Sequence, residues 1–161
     1  MIGFEIVGKP ATQGSKVEQV IRRRGGAPVM KDGRALTVIR EANPRLPEWR
    51  QEVARTARQA YNGELFIGAM AVTLTFHRPR PKSHYGSGRN AGVLKASAPK
   101  YPIQRPDLLK LARAVEDSLT SVIWADDAQI VDELIRKEWG PYFCVVVEIT
   151  SLDGLTREPQ T

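Results

Sequence analysis

Cysteine is almost absent from this chain. The single Cys144 rules out an internal disulfide and any multi-cysteine metal centre. Its place in the apolar run Phe143-Cys144-Val145-Val146-Val147 marks a small buried hydrophobe rather than a nucleophile. Histidine is nearly as scarce: His77 and His84 stand alone, without the close spacing that zinc ligation favours. His84 sits among basic residues and could touch a phosphate, whereas His77 closes a strand and reads as structural. The glycines at Gly86-Ser87-Gly88 are not followed by Lys-Ser or Lys-Thr, which excludes a nucleotide-binding P-loop. No apolar run approaches the roughly 20 residues of a membrane helix. The opening Met1-Ile2-Gly3-Phe4-Glu5 lacks the basic-then-apolar layout of a secretory signal, so the expected location is the cytoplasm. Aromatics make up only 7% of the chain, and Trp49, Trp124 and Trp139 fall where core anchors belong.

Acid is missing locally. Residues 77–106 hold seven Lys/Arg, five of the eleven prolines and no Asp or Glu. So long a stretch without regular structure is either a functional loop or an inert insertion. Its composition, with His84, Tyr85 and Tyr101 interleaved, suits a flexible segment that embraces nucleic acid.

What is present is charge, unevenly spread. The net charge is +6, with 12 Lys/Arg against 6 acids over residues 1–60 and 8 against 2 over 61–110. Residues 111–161 invert the balance, 4 against 10. A basic body attracts phosphates, and an acidic cluster beside it can hold cations where a phosphodiester is cut. Two solvated faces of opposite sign would look the same. The cations expected to meet DNA are Lys16, the turn Arg22, Arg23 and Arg24, and Arg78, Arg80, Lys82, Lys100 and Arg105 of the acid-free stretch. Lys110 on the second helix joins them.

The length suits one α+β domain over residues 1–150, a mixed sheet covered by two main helices, with a polar tail at 151–161. Strands are expected at 3–8, 65–76, about 129–139 and 143–149, the last central because both its faces are apolar. Extended runs at 17–21 and 36–39 suggest a hairpin-like arm carrying positive charge. Helical spacing of Trp49, Val53, Ala57 and Ala60 predicts a helix from about Pro47 to Tyr61. A second helix is expected from about Asp107 to Leu119, with Leu108, Leu111, Ala112, Val115 and Leu119 on its buried stripe. Lys110, Arg113, Glu116 and Asp117 fall on the other side.

The chemistry concentrates between Arg105 and Asp132. Asp107 follows Pro106 and suits a helix N-cap, which is explanation enough for an aspartate there. Asp126 and Asp127 lie side by side between an apolar helix and an apolar strand. They are either turn residues or hard oxygen ligands for Mg²⁺, which uses one or two carboxylates and completes its shell with water and phosphate. The second reading needs Asp107 and the Asp126–Asp127 pair to converge. Arg113 or Lys110 could then neutralise charge building on the reacting phosphate.

The pattern Pro106-Asp107, Leu111, Arg113-Ala114, Asp117 and Leu119, followed by Trp124, Asp126-Asp127-Ala128-Gln129 and Val131-Asp132, resembles the RusA family of Holliday junction resolvases of bacteria and phages. The likeness extends loosely to Gly8-Lys9-Pro10, to Gln13-Gly14-Ser15-Lys16 and to the closing strand. The resemblance implies a homodimeric, Mg²⁺-dependent endodeoxyribonuclease (Mn²⁺ substituting) that binds four-way or other branched DNA and nicks it symmetrically, in a bacterial or phage-infected cell. It assigns Asp107 and Asp127 to catalysis and metal binding, and Asp126 as the neighbouring metal acid. Arg113 stands where the family usually has a lysine needed for cleavage, and a planar fork does not replace an ammonium freely. Two residues after its first aspartate the family carries a second metal aspartate, then asparagine; here these are Leu109 and Lys110. The alternative implied by that loss is a branched-DNA binder of the same fold with impaired catalysis.

Overall fold

The computed structural model describes residues 1–14 and 16–153. The expected tail at 151–161 therefore lies mostly outside the described residues, as does Ser15 of the opening motif. Four strands make the main sheet: β1 (Ile2–Val7), β6 (Met70–Pro79), β7 (Ile130–Gly140) and β8 (Cys144–Ser151), in the order β1-β8-β6-β7. β8 runs antiparallel to both β1 and β6, while β6 and β7 are parallel, so the sheet is mixed. The apolar closing strand does lie inside the sheet, as its two-sided hydrophobicity requires.

Two helices cover one face of this sheet. α1 (Leu46–Ala60) buries Leu46, Trp49, Val53 and Ala57, and α2 (Leu108–Leu119) buries Leu111, Ala112, Ala114, Val115, Ser118 and Leu119. They pack on Val72, Leu74 and Phe76 of β6, Val145, Val147 and Ile149 of β8, and Ile6 of β1. Ala60, expected on the buried stripe, is exposed because the helix ends there, with Tyr61 as its extended C-cap.

The arm is present. β2 (Lys16–Val20) pairs antiparallel with β5 (Thr37–Glu41), and beyond them β3 (Met30–Lys31) pairs with β4 (Arg34–Ala35). Asp32 and Gly33 join β3 to β4 with φ of 51° and 79°, the left-handed pair that a tight two-residue hairpin requires. Arg23 and Gly26 close a second turn through Gly26 N–H to Arg23 O, 2.8 Å.

Two boundaries differ from expectation. β6 starts at Met70 rather than Leu65, because Phe66 N–H donates instead to Ile123 O and Gly68 takes a φ of 99°. β6 also continues to Pro79, where parallel pairing with β7 extends it into the stretch expected to be irregular. The rest of that stretch is fastened rather than free. Arg80 and the Trp139 indole both donate to Pro99 O, Arg78 donates to Arg105 O, and Lys137 donates to Gln104 O and Pro106 O.

Candidate active site

α2 runs beside β7 in the opposite direction. Lys137, late in β7, holds Pro106 just before the helix, while Glu133, earlier in β7, meets Glu116 near the helix end. The β6–β7 register explains the meeting. Glu133 pairs with Val72, and Val72 faces the helices, so Glu133 lies on the helix side of β7, at the exposed edge of the sheet beside Glu116. Glu116 is half-buried there, and its carboxyl is pushed up to about 8, first by burial, then by the hydrogen bond to Glu133 and by the charges of Glu133, Asp117 and Asp127.

Asp127 stands between two shallow recesses. One is lined by Glu116, Asp127, Ile130, Asp132 and Glu133, the other by Arg50, Asp117, Thr120, Asp126 and Asp127. The loop that presents Asp127 is built around Gln129. Its amide accepts from Ala125 N–H (3.0 Å) and Asp126 N–H (2.9 Å) and donates to Phe66 O (3.0 Å) and Gly68 O (3.1 Å). One side chain thus closes the turn and ties it to the segment leading into β6. Asp126 Oδ1 accepts from Ala128 N–H at 2.9 Å, so this carboxylate caps the short 3₁₀ turn Asp127–Gln129. Asp127 itself is exposed and takes part in no side-chain hydrogen bond or ion pair among the described residues.

Asp117 is held from its other side. Gln13 is buried, accepts from Arg50 and donates to Asp117 Oδ2 at 2.5 Å, while Arg50 lies 3.3 Å from the same oxygen and 4.0 Å from Glu41. The loop after β1, the arm and both helices therefore meet at one ion-pair network beside the acids. Glu116 and Asp117, expected on the solvent side of α2, are half-buried because β7 flanks one and Arg50 the other.

Asp107 is elsewhere. It is the extended N-cap of α2, exposed, with Lys110 Nζ 3.4 Å from its carboxylate. Ten residues separate it from Asp117, or about 15 Å of helix. The expected convergence of Asp107 with Asp126 and Asp127 inside one chain is not what the structure has, and among the described residues no group of three or more His, Cys, Asp or Glu is arranged to hold a metal ion. Between the two ends, Leu109 is 73% exposed on the same stripe as Arg113 and Glu116, spaced four and seven residues on. Arg113 is exposed and makes no ion pair among the described residues.

The expected DNA-facing cations divide into two groups. Lys16, Arg23, Arg24, Lys82 and Arg105 are exposed. Others are partly committed within the fold. Arg22 donates to Gly26 O (2.8 Å), Arg78 to Arg105 O, and Lys110 pairs with Asp107. Arg80 lies 5.0 Å over the Trp139 ring, and Lys100 lies 5.3 Å over Tyr101. His84 packs edge-on against Trp139 at 5.1 Å. Cys144 is buried, and burial together with Glu5 pushes its thiol up to about 12, which keeps it unreactive.

Arg50 and Glu133 were not singled out from sequence, and Gln13 was noted only as part of the opening motif. Gln129 lies inside the recognised motif, and only its hydrogen bonds reveal its part. Comparison with known proteins matches residues 26–150 to the family model described as endodeoxyribonuclease RusA. The chain is also 28% identical over 137 residues to the uncharacterized protein YqaN of Bacillus subtilis (strain 168), covering 84% of this chain and 86% of that protein.

Proposed function

This chain belongs to the RusA family of endodeoxyribonucleases, and from that membership we propose that it is a divalent-metal-dependent, structure-selective nuclease that nicks four-way or otherwise branched DNA. The observation that carries the reading is Asp127, a carboxylate without a side-chain partner among the described residues, set by the Gln129 turn beside Glu116, whose carboxyl is pushed up to about 8 by burial first and by the neighbouring acids second. Such crowding stores repulsion that a bound cation relieves.

Among the described residues, one chain does not by itself close a cation site. Asp126 has one oxygen committed to its cap, and Asp107 sits at the far end of α2. In our reading the set of Asp107, Asp126 and Asp127 is completed between two copies of the chain, one contributing Asp107 and the other Asp126 and Asp127. A divalent ion held there would supply electrostatic stabilisation to a scissile phosphate. The chain's own contribution is to position it. Gln129 fixes Asp127, Lys110 steadies Asp107, and Arg113 offers a cation to the non-bridging phosphate oxygens. The exposed cations of the arm and of residues 80–105 bind flanking phosphates.

A second reading has a specific basis. Leu109 leaves an apolar side chain on the solvent face of α2 where the family carries an acid, which favours a junction binder with weakened cleavage. A labelled four-way junction incubated with Mg²⁺ or Mn²⁺ separates the two. Symmetric nicks absent with linear duplex support the nuclease, whereas tight junction binding without nicks at any concentration of either metal supports the binder.

A further inference from the structure

A partly enclosed cavity lies away from the acids. It measures about 160 Å³ and lies between the end of β6, the loop after β1 and the residues leading into α2. Its apolar lining includes the buried Phe76 and Leu111 together with Phe143, Pro102 and Pro106. Engineered apolar cavities of about 150 Å³ hold one benzene ring, so a single aromatic ring is the natural size of occupant.

The charged lining selects the kind of ring. Lys9, Arg78, Arg105 and Lys137 also line it, Lys9 and Arg105 exposed and the other two half-buried, and none forms an ion pair among the described residues. Lys9 Nζ lies 5.7 Å from the Phe143 ring centroid, so cation and ring are adjacent. Arg78 and Lys137 each donate to backbone carbonyls of residues 104–106, which draws that segment over the cavity and keeps its cations at the mouth. An apolar slot with four cations in its lining matches an aromatic ring flanked by phosphates. Gln104, exposed in the same lining, offers the one side-chain amide there.

We infer that this cavity seats one unstacked nucleobase of the bound DNA, its flanking phosphates held by Lys9, Arg78, Arg105 and Lys137. The inference rests on the DNA-cutting reading and deepens it. Pro106 lines the cavity and Asp107 follows it directly, so a base seated here sets its backbone beside the acid that opens α2. Stacking tolerates any base, and the neighbouring cations add to it. Bases beside a branch point are the least expensive to extrude, since their stacking is already interrupted.

The test uses 2-aminopurine, whose fluorescence rises when it leaves the base stack. The whole chain is titrated, in EDTA so that nothing is cut, into four-way junctions with the probe at each branch-adjacent position. A short single-stranded oligonucleotide carrying the same base is titrated alongside. The expected result is a severalfold rise at one junction position. Gln104→Trp, which fills the mouth, and Phe143→Ala, which removes an aromatic ring from the lining, should abolish it and cost about tenfold in affinity for the single strand. Junction binding with no change at any position would overturn the inference, as would a rise that survives both substitutions. A nicking assay with Mg²⁺ on the same junctions keeps the two readings apart. Nicking without a fluorescence change removes the base pocket and leaves the nuclease; a change without nicking does the reverse; binding to neither DNA removes both.

Discussion

The carboxyl groups of Glu116 and Glu133 lie side by side across the seam between α2 and β7, and burial together with that neighbouring acid pushes the Glu116 carboxyl up to about 8. Both were legible as acids, but only the parallel register of β7 with β6 puts Glu133 on the helix side. With Asp127 and Asp117 close by, the pair makes this end of α2 an acidic patch in a basic protein.

Stability in metal-free buffer should therefore fall as pH rises. The Glu116 carboxyl is raised in the folded state to about 8 from an ordinary 4.5, so the folded chain holds a proton that the unfolded chain releases. The sign is fixed by that difference: stability is full below the ordinary value and is lost progressively up to about pH 8. Glu116→Gln keeps the shape of the side chain without the titration. Its melting temperature at pH 9 should exceed the wild type by roughly 5 °C, the two converging near pH 4. Parallel melting curves across this range would show that the pair does not titrate as described.

Gln129 should matter to both fold and activity. Gln129→Leu removes two donated and two accepted hydrogen bonds and leaves the carbonyls of Phe66 and Gly68 unpaired. The expected cost is about 2 kcal/mol of stability. Cleavage should fall at least tenfold with junction affinity nearly unchanged, because Asp127 loses its seat while the cations do not. Equal losses in binding and cleavage, measured by gel shift and nicking, would mean that Gln129 supports the whole fold rather than the acid.

Leu109 should be replaceable by acid at almost no structural cost. It is 73% exposed in the first turn of α2, where an aspartate also favours the helix dipole. Leu109→Asp should stay within about 0.5 kcal/mol of the wild type and reach half-maximal nicking at lower Mg²⁺. An unchanged Mg²⁺ dependence would place Leu109 outside the metal's surroundings.

The tip of the arm should contribute by charge alone. Arg23 and Arg24 are exposed, and Arg23→Ala with Arg24→Ala should reduce the slope of log affinity against log salt by about 2. An unchanged slope would place the arm away from phosphate.

Much of the fold could be read from spacing alone. The α2 stripe, the enclosed closing strand and the Asp32-Gly33 hairpin each follow from a local period or a turn dipeptide. The boundaries of β6 could not, because Phe66 bonds to Ile123 and Pro79 is reached only through β7, both long-range pairings. The candidate site was legible as a set of residues but not as a geometry. Asp107 and Asp127 are twenty positions apart in sequence, yet a helix packed antiparallel to β7 carries them to opposite ends. The contacts of Gln13 and Arg50 were out of reach for a similar reason, since their partner Asp117 is 104 and 67 residues away. The basic stretch was expected to be flexible from its prolines and charge, and composition alone did not foresee Trp139 and Lys137 pinning it down.

The most direct measurement is subunit complementation on a four-way junction with Mg²⁺. Asp107→Asn and Asp127→Asn each remove one end of the acid set, so each protein alone should bind the junction and leave it uncut. A co-expressed mixture contains mixed dimers that hold one intact pairing of Asp107 with Asp127, and nicking should return in part. A mixture as inactive as its components, or either variant cutting at the wild-type rate, would contradict a site shared across two copies of the chain.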